Sequence, residues 1–374
     1  MPVIRNERDF YRNSTLSITP TTNDPLASYR DLFHLPEGVI YLDGNSLGAM
    51  PKSAPDIMAR AVEGEWANGL IRSWNDAGWW QLPVELGNKI GRLVGAGQGT
   101  TIVTDSTSIN IFKALHAALA LRPDRTAIIA EAGAFPTDLY IAESAGKNIE
   151  RRLIGQDNKT LDDLLDENVA VVLLSHVDYR SGELLDMQAI TEKVHKAGAL
   201  IIWDLCHSAG VVPMGLDAAG VDFAVGCTYK YLNGGPGSPA FIYANQSHHD
   251  HITQPLTGWW AHAEPFAFKP DFEAAPGIRA FLCGTQPILS MRALGAALDI
   301  TDGIDMAEVR QKSKALTTLF AERVIEKTAR YGVTLFSPSD ADKRGSQVSF
   351  THPNGYQIMQ ALIARGVIGD FRQP

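Results

Sequence analysis

The stretch Asp222-Phe-Ala-Val-Gly-Cys-Thr-Tyr229-Lys230-Tyr-Leu-Asn-Gly-Gly-Pro-Gly-Ser238 decides how this chain is read. A short apolar strand ends in a turn that carries a lysine, and glycines follow. A second apolar run, Ala199-Leu-Ile-Ile-Trp-Asp204, ends in a carboxylate 26 residues before that lysine. A flexible cation in such a place makes sense as a covalent nucleophile. Pyridoxal phosphate needs a lysine for its Schiff base and a carboxylate to keep its ring nitrogen protonated. Lys230 and Asp204 read as those two groups.

Outward from this stretch, strands and helices alternate. Strands are expected at 126–130, 149–154, 169–175, 200–203, 223–226 and 240–243, and helices at 86–94, 109–121, 137–145, 161–166 and 187–197. Such alternation implies βαβ units and a mainly parallel sheet. Ala170-Val-Val-Leu-Leu174 is apolar without a break, as a strand buried on both faces requires. A strand at 39–43 leads into the turn-rich Gly44-Asn45-Ser46-Leu47-Gly48, and a helix is expected from Pro55 to about Trp66. The Trp- and Gly-rich stretch 66–80 has no assignable pattern. Helices are expected at 288–300 and 306–331, and 333–364 reads as a small α+β unit. The fold class is α/β: a large domain with a mainly parallel, mixed sheet flanked by helices, plus a smaller α+β domain built from the C-terminal part and the N-terminal segment. The expected division is 1–55 for an N-terminal arm and part of the small domain, 56–300 for the large cofactor-binding domain and 301–374 for the small C-terminal domain.

At 374 residues the chain can form one large and one smaller domain. Its 45% apolar and 20% charged residues are ordinary for a globular enzyme. A net charge of -9 with no basic run speaks against nucleic acid as a partner. No apolar stretch approaches the roughly 20 residues of a membrane span, so no membrane partner is expected. The charged N-terminus lacks the apolar core of a signal peptide. Cys206, Cys227 and Cys283 are sparse and lack metal-ligand spacing, which suggests reduced thiols and a cytoplasmic location. The run His248-His249-Asp250-His251 has no spaced partner, so no metal is expected.

Thr107 and Ser108 stand just before an apolar-periodic helix. A helix N-terminus binds phosphate, and the two hydroxyls add donors. Alone they are an ordinary cap; beside Lys230 and Asp204 the phosphate reading is stronger. Asp204 closes a buried strand, and side chains at the carboxyl end of a parallel strand project into the ligand crevice. His207 can orient Asp204 or donate to the cofactor. The Tyr229 phenol can contact phosphate or move a proton. Phe135-Pro136-Thr137-Asp138 follows a strand: Phe135 can stack on a pyridine ring and Asp138 can bond to its edge.

Taken together, Tyr41-Leu-Asp-Gly-Asn-Ser-Leu-Gly48, Phe135-Pro-Thr-Asp138, Asp204-Leu-Cys-His207, Cys227-Thr-Tyr-Lys-Tyr-Leu-Asn-Gly234, Gly258-Trp259 and Gly284-Thr-Gln-Pro-Ile288 resemble the kynureninases, fold-type I pyridoxal phosphate enzymes of the class V aminotransferase kind. The motifs span most of the chain. The resemblance implies hydrolysis of the β–γ bond of L-kynurenine, and possible action on 3-hydroxykynurenine, to give anthranilate and L-alanine in tryptophan catabolism. It implies a homodimer with the active site at the subunit interface. Lys230 would carry the Schiff base and Asp204 would pair with the ring nitrogen. Thr107, Ser108 and Tyr229 would lie at the phosphate end. Phe135, Pro136, Thr137, Asp138, Ser175 and His207 would complete the cofactor shell, Trp259 and Thr285 would reach in from the neighbouring subunit, and Ser46 and Trp74 would touch substrate.

Kynureninases continue beyond the position of Pro374 into a strand whose arginine clamps the substrate carboxylate, so the 301–374 unit reads as truncated. Were the protein itself to end there, loss of a bidentate partner would imply cofactor binding with little turnover. Two other readings remain open: another enzyme of this fold, such as a cysteine desulfurase or an aminotransferase, and a catalytically silent cofactor-binding relative.

Overall fold

A computed structural model describes residues 24–373. Seven strands form the central sheet: β1 (Thr101–Val103), β2 (Ala127–Glu131), β3 (Glu150–Ile154), β4 (Val169–Ser175), β5 (Leu200–Asp204), β6 (Phe223–Gly226) and β7 (Phe241–Ala244). Their order is β1-β7-β6-β5-β4-β2-β3. Strand β7 is antiparallel to both neighbours, and every other pair is parallel. The sheet is thus mixed and mainly parallel.

Period-two geometry sends alternate residues of each strand to opposite faces. In β4, Val172 and Leu174 join one core, with Leu86, Ile90, Val194 and Leu294. Val171 and Leu173 join the other, with Ile111, Leu115 and Ala142. The first face is covered by α1 (Leu82–Val94), part of α4 (Met187–Lys196) and α5 (Ile288–Thr301), and the second by α2 (Thr107–Ala120) and α3 (Pro136–Ser144). Each Val, Ile or Leu buried here contributes about 1.5–3 kcal/mol of transfer free energy, which is why β2, β4, β5 and β6 carry no polar residue until their ends, while the edge strand β3 carries Arg151 and Arg152.

Outside the sheet, α6 (Met306–Thr328) precedes a hairpin of Thr334–Leu335 with Phe350–Thr351, and α7 (Gly355–Ile363) follows it. Ile40–Tyr41 pairs in parallel with Val367–Ile368, so the N-terminal segment joins the C-terminal part. Among the described residues no helix is long and apolar enough to cross a membrane. The N-terminal arm expected within 1–55 lies outside the described residues up to position 23; from Ala27 to Leu32 the chain forms a 3-10 turn.

The structure departs from the expected elements in three places. β1 was not expected, because three residues are too few to show a period. The helix expected to reach Trp66 is α-helical only over Ala54–Ala59 and widens into π-type turns over Arg60–Gly69. There Ser73 Oγ donates to Glu65 O at 2.6 Å, and Leu70 takes a positive φ of 53°. The unassigned stretch 66–80 packs as a tryptophan cluster, with Trp74 5.0 Å from Trp260 and Trp80 5.2 Å from the same ring. Contacts so distant in sequence leave no local pattern.

Asp222, at the start of β6, is buried and accepts from Ile201 N at 2.8 Å, while His195 Nε2 and His248 Nε2 each lie 2.8 Å from its carboxylate. Burial pushes its pKa up, but the bonds from His195, His248 and Ile201 N–H outweigh burial and hold it below the usual range. The same contact raises His195 above its ordinary 6.5. The stability from His195 is therefore complete below pH 6.5 and is lost as pH rises through its raised pKa, whereas that from Asp222 is present above its ordinary carboxylate pKa and is lost only in acid. Removing one partner of a buried ionic group costs about 3–5 kcal/mol. Asp222→Ala should lose about that much in urea unfolding at pH 6 and less at pH 9. An equal loss at both pH values would show that the histidine contributes nothing.

Candidate active site

The carboxyl ends of β4, β5 and β6 and the N-termini of α2 and α3 surround a cavity of about 170 Å³. Thr107, Ser108, Phe135, Thr137, Asp138, Ser175, Asp204, His207, Tyr229 and Lys230 all line it. Register explains part of this: Ser175 on β4 is opposite Asp204 on β5, and Asp204 is opposite Val225 on β6.

At one end lies the start of α2. Ser106 is its cap, accepting from Ile109 N at 3.5 Å. The preceding Asp105 is held at a φ of +47°, a region unfavourable for a side chain with a Cβ. The Lys113 ammonium, fully buried, reaches back to Asp105 Oδ2 at 2.6 Å and to Phe281 O at 2.6 Å, and Thr104 Oγ1 donates to the same carboxylate oxygen at 2.6 Å. Thr107 and Ser108, at the first turn that follows, line the cavity, and Thr107 Oγ1 lies 3.6 Å from Cys206 Sγ.

On the floor are two carboxyl groups. Asp204 Oδ1 accepts from Cys206 N at 2.7 Å. Asp138 is buried, and its Oδ2 has no hydrogen-bond partner among the described residues. Burial first, then the neighbouring Asp204 charge, raises the Asp138 pKa well above the carboxylate range. At the mouth, Lys230 Nζ lies 2.8 Å from His207 Nε2. Burial, then the charges of Lys230 and Arg372, lowers the His207 pKa to about 3, so the ring is neutral. Burial, reinforced by nearby Cys227 and Cys206, raises the Tyr229 pKa, and its phenol keeps its proton at neutral pH. An amine, a helix N-terminus with two hydroxyls, two carboxyl groups and the Phe135 ring can together hold an aromatic aldehyde with an anionic arm.

Pro136 opens α3 beside the cavity without lining it. Trp259, Thr285 and Trp74 do not line it either. The Trp259 indole N–H donates to Pro265 O at 2.8 Å, and its ring packs 6.0 Å from Trp74. Ser46 lies on an adjoining loop and accepts from Arg372 Nη2 at 3.3 Å. Three lining residues, Val177, Tyr179 and Cys206, were not anticipated. The Tyr179 ring sits edge-on to Phe135 at 5.3 Å. Its one sequence signal is its place just past the end of β4.

A family model described as the kynureninase C-terminal domain matches residues 309–374. A kynureninase of Burkholderia pseudomallei (strain 1106a) is 51% identical over 360 residues, covering 94% of this chain and 86% of that protein. A kynureninase of Pseudomonas fluorescens is 50% identical over 371 residues, covering 97% of this chain and 88% of that protein. The chain belongs to the kynureninase family. Solved structures share its fold at lower identity. A cysteine desulfurase from Thermococcus onnurineus NA1 superposes with a TM-score of 0.74 at 18% identity, over 98% of this chain and 88% of that one. A C-DES variant with glycine covalently linked to its PLP cofactor superposes at 0.75 and 19% identity, over 90% of each chain.

In this kynureninase-family chain the loop 44–48 rests directly on the lysine turn. Gly48 N donates to Tyr229 O at 2.8 Å, and Asn233 Nδ2 donates to Ala49 O at 2.9 Å. A Cβ at Gly48 would stand 2.3 Å from Lys230 O. Gly48→Ala should therefore push the lysine turn aside, cost about 1–3 kcal/mol in stability and weaken coenzyme binding measured by equilibrium dialysis. Wild-type coenzyme affinity in this variant would contradict the close packing.

Proposed function

We propose that this chain is a pyridoxal phosphate-dependent hydrolase that cleaves the β–γ carbon–carbon bond of L-kynurenine, giving anthranilate and L-alanine, with Lys230 as the coenzyme-bearing amine. Membership of the kynureninase family supports the reaction and the coenzyme. One observation carries the residue assignment: Lys230, Asp204 and the start of α2 converge on a single cavity. Asp138 Oδ2, without a hydrogen-bond partner among the described residues, supports the fit, because a buried polar atom left unpaired calls for a partner from a ligand.

When bound, the coenzyme supplies an electron sink for carbon–carbon cleavage. The chain's residues do the rest. The helix N-terminus with Thr107 and Ser108 would hold the phosphate, and Phe135 would stack on the ring. Pro136 and Thr137 set the start of α3, from which Asp138, with Ser175, would complete the shell. Asp204 would keep a proton at the ring nitrogen. The Lys230 amine, once released, takes the proton from the substrate's α-carbon. The protonated Tyr229 phenol gives a proton to the γ-carbonyl oxygen as water adds. Ser46, beside Arg372, is the substrate-side residue, while Trp74 packs on Trp259 away from this chain's cavity.

The same reading makes the protein a homodimer. Trp259 and Thr285 are absent from their own chain's cavity, and the neighbouring Phe266 and Phe268 are 66% and 79% exposed. Both facts support a segment that completes the partner's site. The 1–55, 56–300 and 301–374 division is retained, supported by the pairing of Ile40–Tyr41 with Val367–Ile368. Three free cysteines support a reducing compartment, the cytoplasm. A cysteine desulfurase reading needs an accessible thiol on a mobile loop. Cys206 and Cys227 are buried, and the Cys283 thiol is turned to Thr257 O at 3.7 Å.

The test is anthranilate fluorescence after kynurenine is added to protein loaded with coenzyme. Fluorescence should grow with time. Lys230→Ala should lose the visible absorbance of bound coenzyme and slow turnover by on the order of a thousandfold. Retention of both by the variant, or no anthranilate from the wild type, would overturn the proposal.

A further inference from the structure

A series of hydrogen bonds ties Lys230 to the C-terminal part of the chain. Lys230 Nζ is 2.8 Å from His207 Nε2, and His207 Nδ1 is 3.0 Å from Gln347 Oε1. Gln347 Nε2 donates to Tyr179 O at 2.9 Å, and Arg372 Nη1 donates to the same carbonyl at 3.2 Å. The directions of these bonds follow from chemistry alone. A backbone carbonyl only accepts, so Tyr179 O takes the NH₂ end of Gln347 and turns Oε1 toward the imidazole. Oε1 only accepts, so Nδ1 must carry the ring hydrogen. In a neutral imidazole the other nitrogen then keeps a free lone pair. That nitrogen, Nε2, is the one facing Lys230. Gln347 is itself held: it is buried, and a Cβ on Gly182 (φ +74°) would stand 2.9 Å from its Cγ.

We propose that Gln347 is a positioning residue for Lys230: by fixing His207 as the Nδ1–H tautomer it aims an imidazole lone pair at Nζ and stabilises the charged amine until coenzyme enters. This rests on the reading of Lys230 as the coenzyme amine. The consequence is that the C-terminal part, far from Lys230 in sequence, sets which face of the imidazole meets the amine. The other groups acting on Nζ are the Asp204 and Asp138 carboxyls, the Cys206 and Cys227 thiols and the Tyr229 ring, 5.9 Å away. Replacing Gln347 removes the imidazole's acceptor and leaves Tyr179 O bonded to Arg372 alone.

Two measurements test this. In the first, the full chain without coenzyme is labelled with ¹⁵N-histidine, and the His207 ring signals are assigned by their loss in His207→Gln. The expected pattern is a protonated Nδ1 with an unprotonated Nε2, and a protonated Nε2 would overturn the proposal. In the second, the rate of condensation with pyridoxal phosphate is followed by visible absorbance against pH. In Gln347→Leu the Nδ1–H loses its acceptor, so the Nε2–H form, which can donate to the neutral amine, becomes accessible and favours the uncharged amine. The apparent pKa of condensation should fall by about one unit, raising the rate at a pH below it by about tenfold. A folded Gln347→Leu protein with an unchanged pH profile would overturn the proposal. If that variant does not fold, the wild-type tautomer decides alone. A wild type that shows the Nδ1–H form yet never condenses with the coenzyme would sink the functional reading and leave the tautomer assignment standing.

Discussion

Asp204 meets a lysine 26 positions further along only because β4, β5 and β6 run parallel with their carboxyl ends level. Helical crossovers return the chain behind the sheet, so each strand delivers its last residue to the same rim. The reversal of β7 matters as much. Because β7 is antiparallel to β6, the loop between them, residues 227–240, needs no crossover and stays at that rim, carrying Lys230 across the strand ends. Because β1 is also antiparallel to β7, it runs the same way as β6. Its end therefore brings 104–108 and the start of α2 to the same place. One strand direction thus puts both the amine and the anion-binding helix beside Asp204.

Charge compensation then makes the rim usable. Asp105, two residues before Thr107, would repel an anionic ligand if left bare. Lys113 and the Thr104 hydroxyl take up its carboxylate from behind, and the buried ammonium finds in Asp105 and Phe281 O the partners it requires. On the floor, burial keeps Asp138 protonated beside Asp204, so two neighbouring carboxyls do not both demand a counter-cation. His207 is neutral because it is buried, and the positive charges of Lys230 and Arg372 add to that.

Residues on the strand ends and helix starts were legible because each obeys a local rule: an apolar run ending in a carboxylate for Asp204, hydroxyls before an amphipathic helix for Thr107 and Ser108, a lysine between strand and glycines for Lys230. The alternation that defined the sheet is local in the same sense. Tyr179 and Gln347 obeyed no such rule. Tyr179 joins the wall through its ring against Phe135, and Gln347, outside the wall, bonds through its side-chain amide to His207, 140 positions away. The 66–80 stretch was opaque for the same reason, since its tryptophans find partners near position 260. Trp259 shows the converse: a motif readable in sequence whose own-chain contacts place it away from the cavity.

The lysine turn is gripped by segments from the two ends of the chain. Residues 48–49 bond to Tyr229 and Asn233, while Gln347 reaches Lys230 through His207. Those two segments are not independent. Ile40 N and Leu42 N donate to Gly366 O and Ile368 O, each at 2.8 Å, and Arg372 bridges Tyr179 O to Ser46. A displacement of the C-terminal part would therefore carry the 44–48 loop with it and release the turn from both sides at once. Gly48, with no room for a Cβ, and Gly182, which leaves room for Gln347, are the two points where backbone must come closest for that grip to close. Local rules locate the amine, but its environment is set by contacts between residues more than a hundred positions apart.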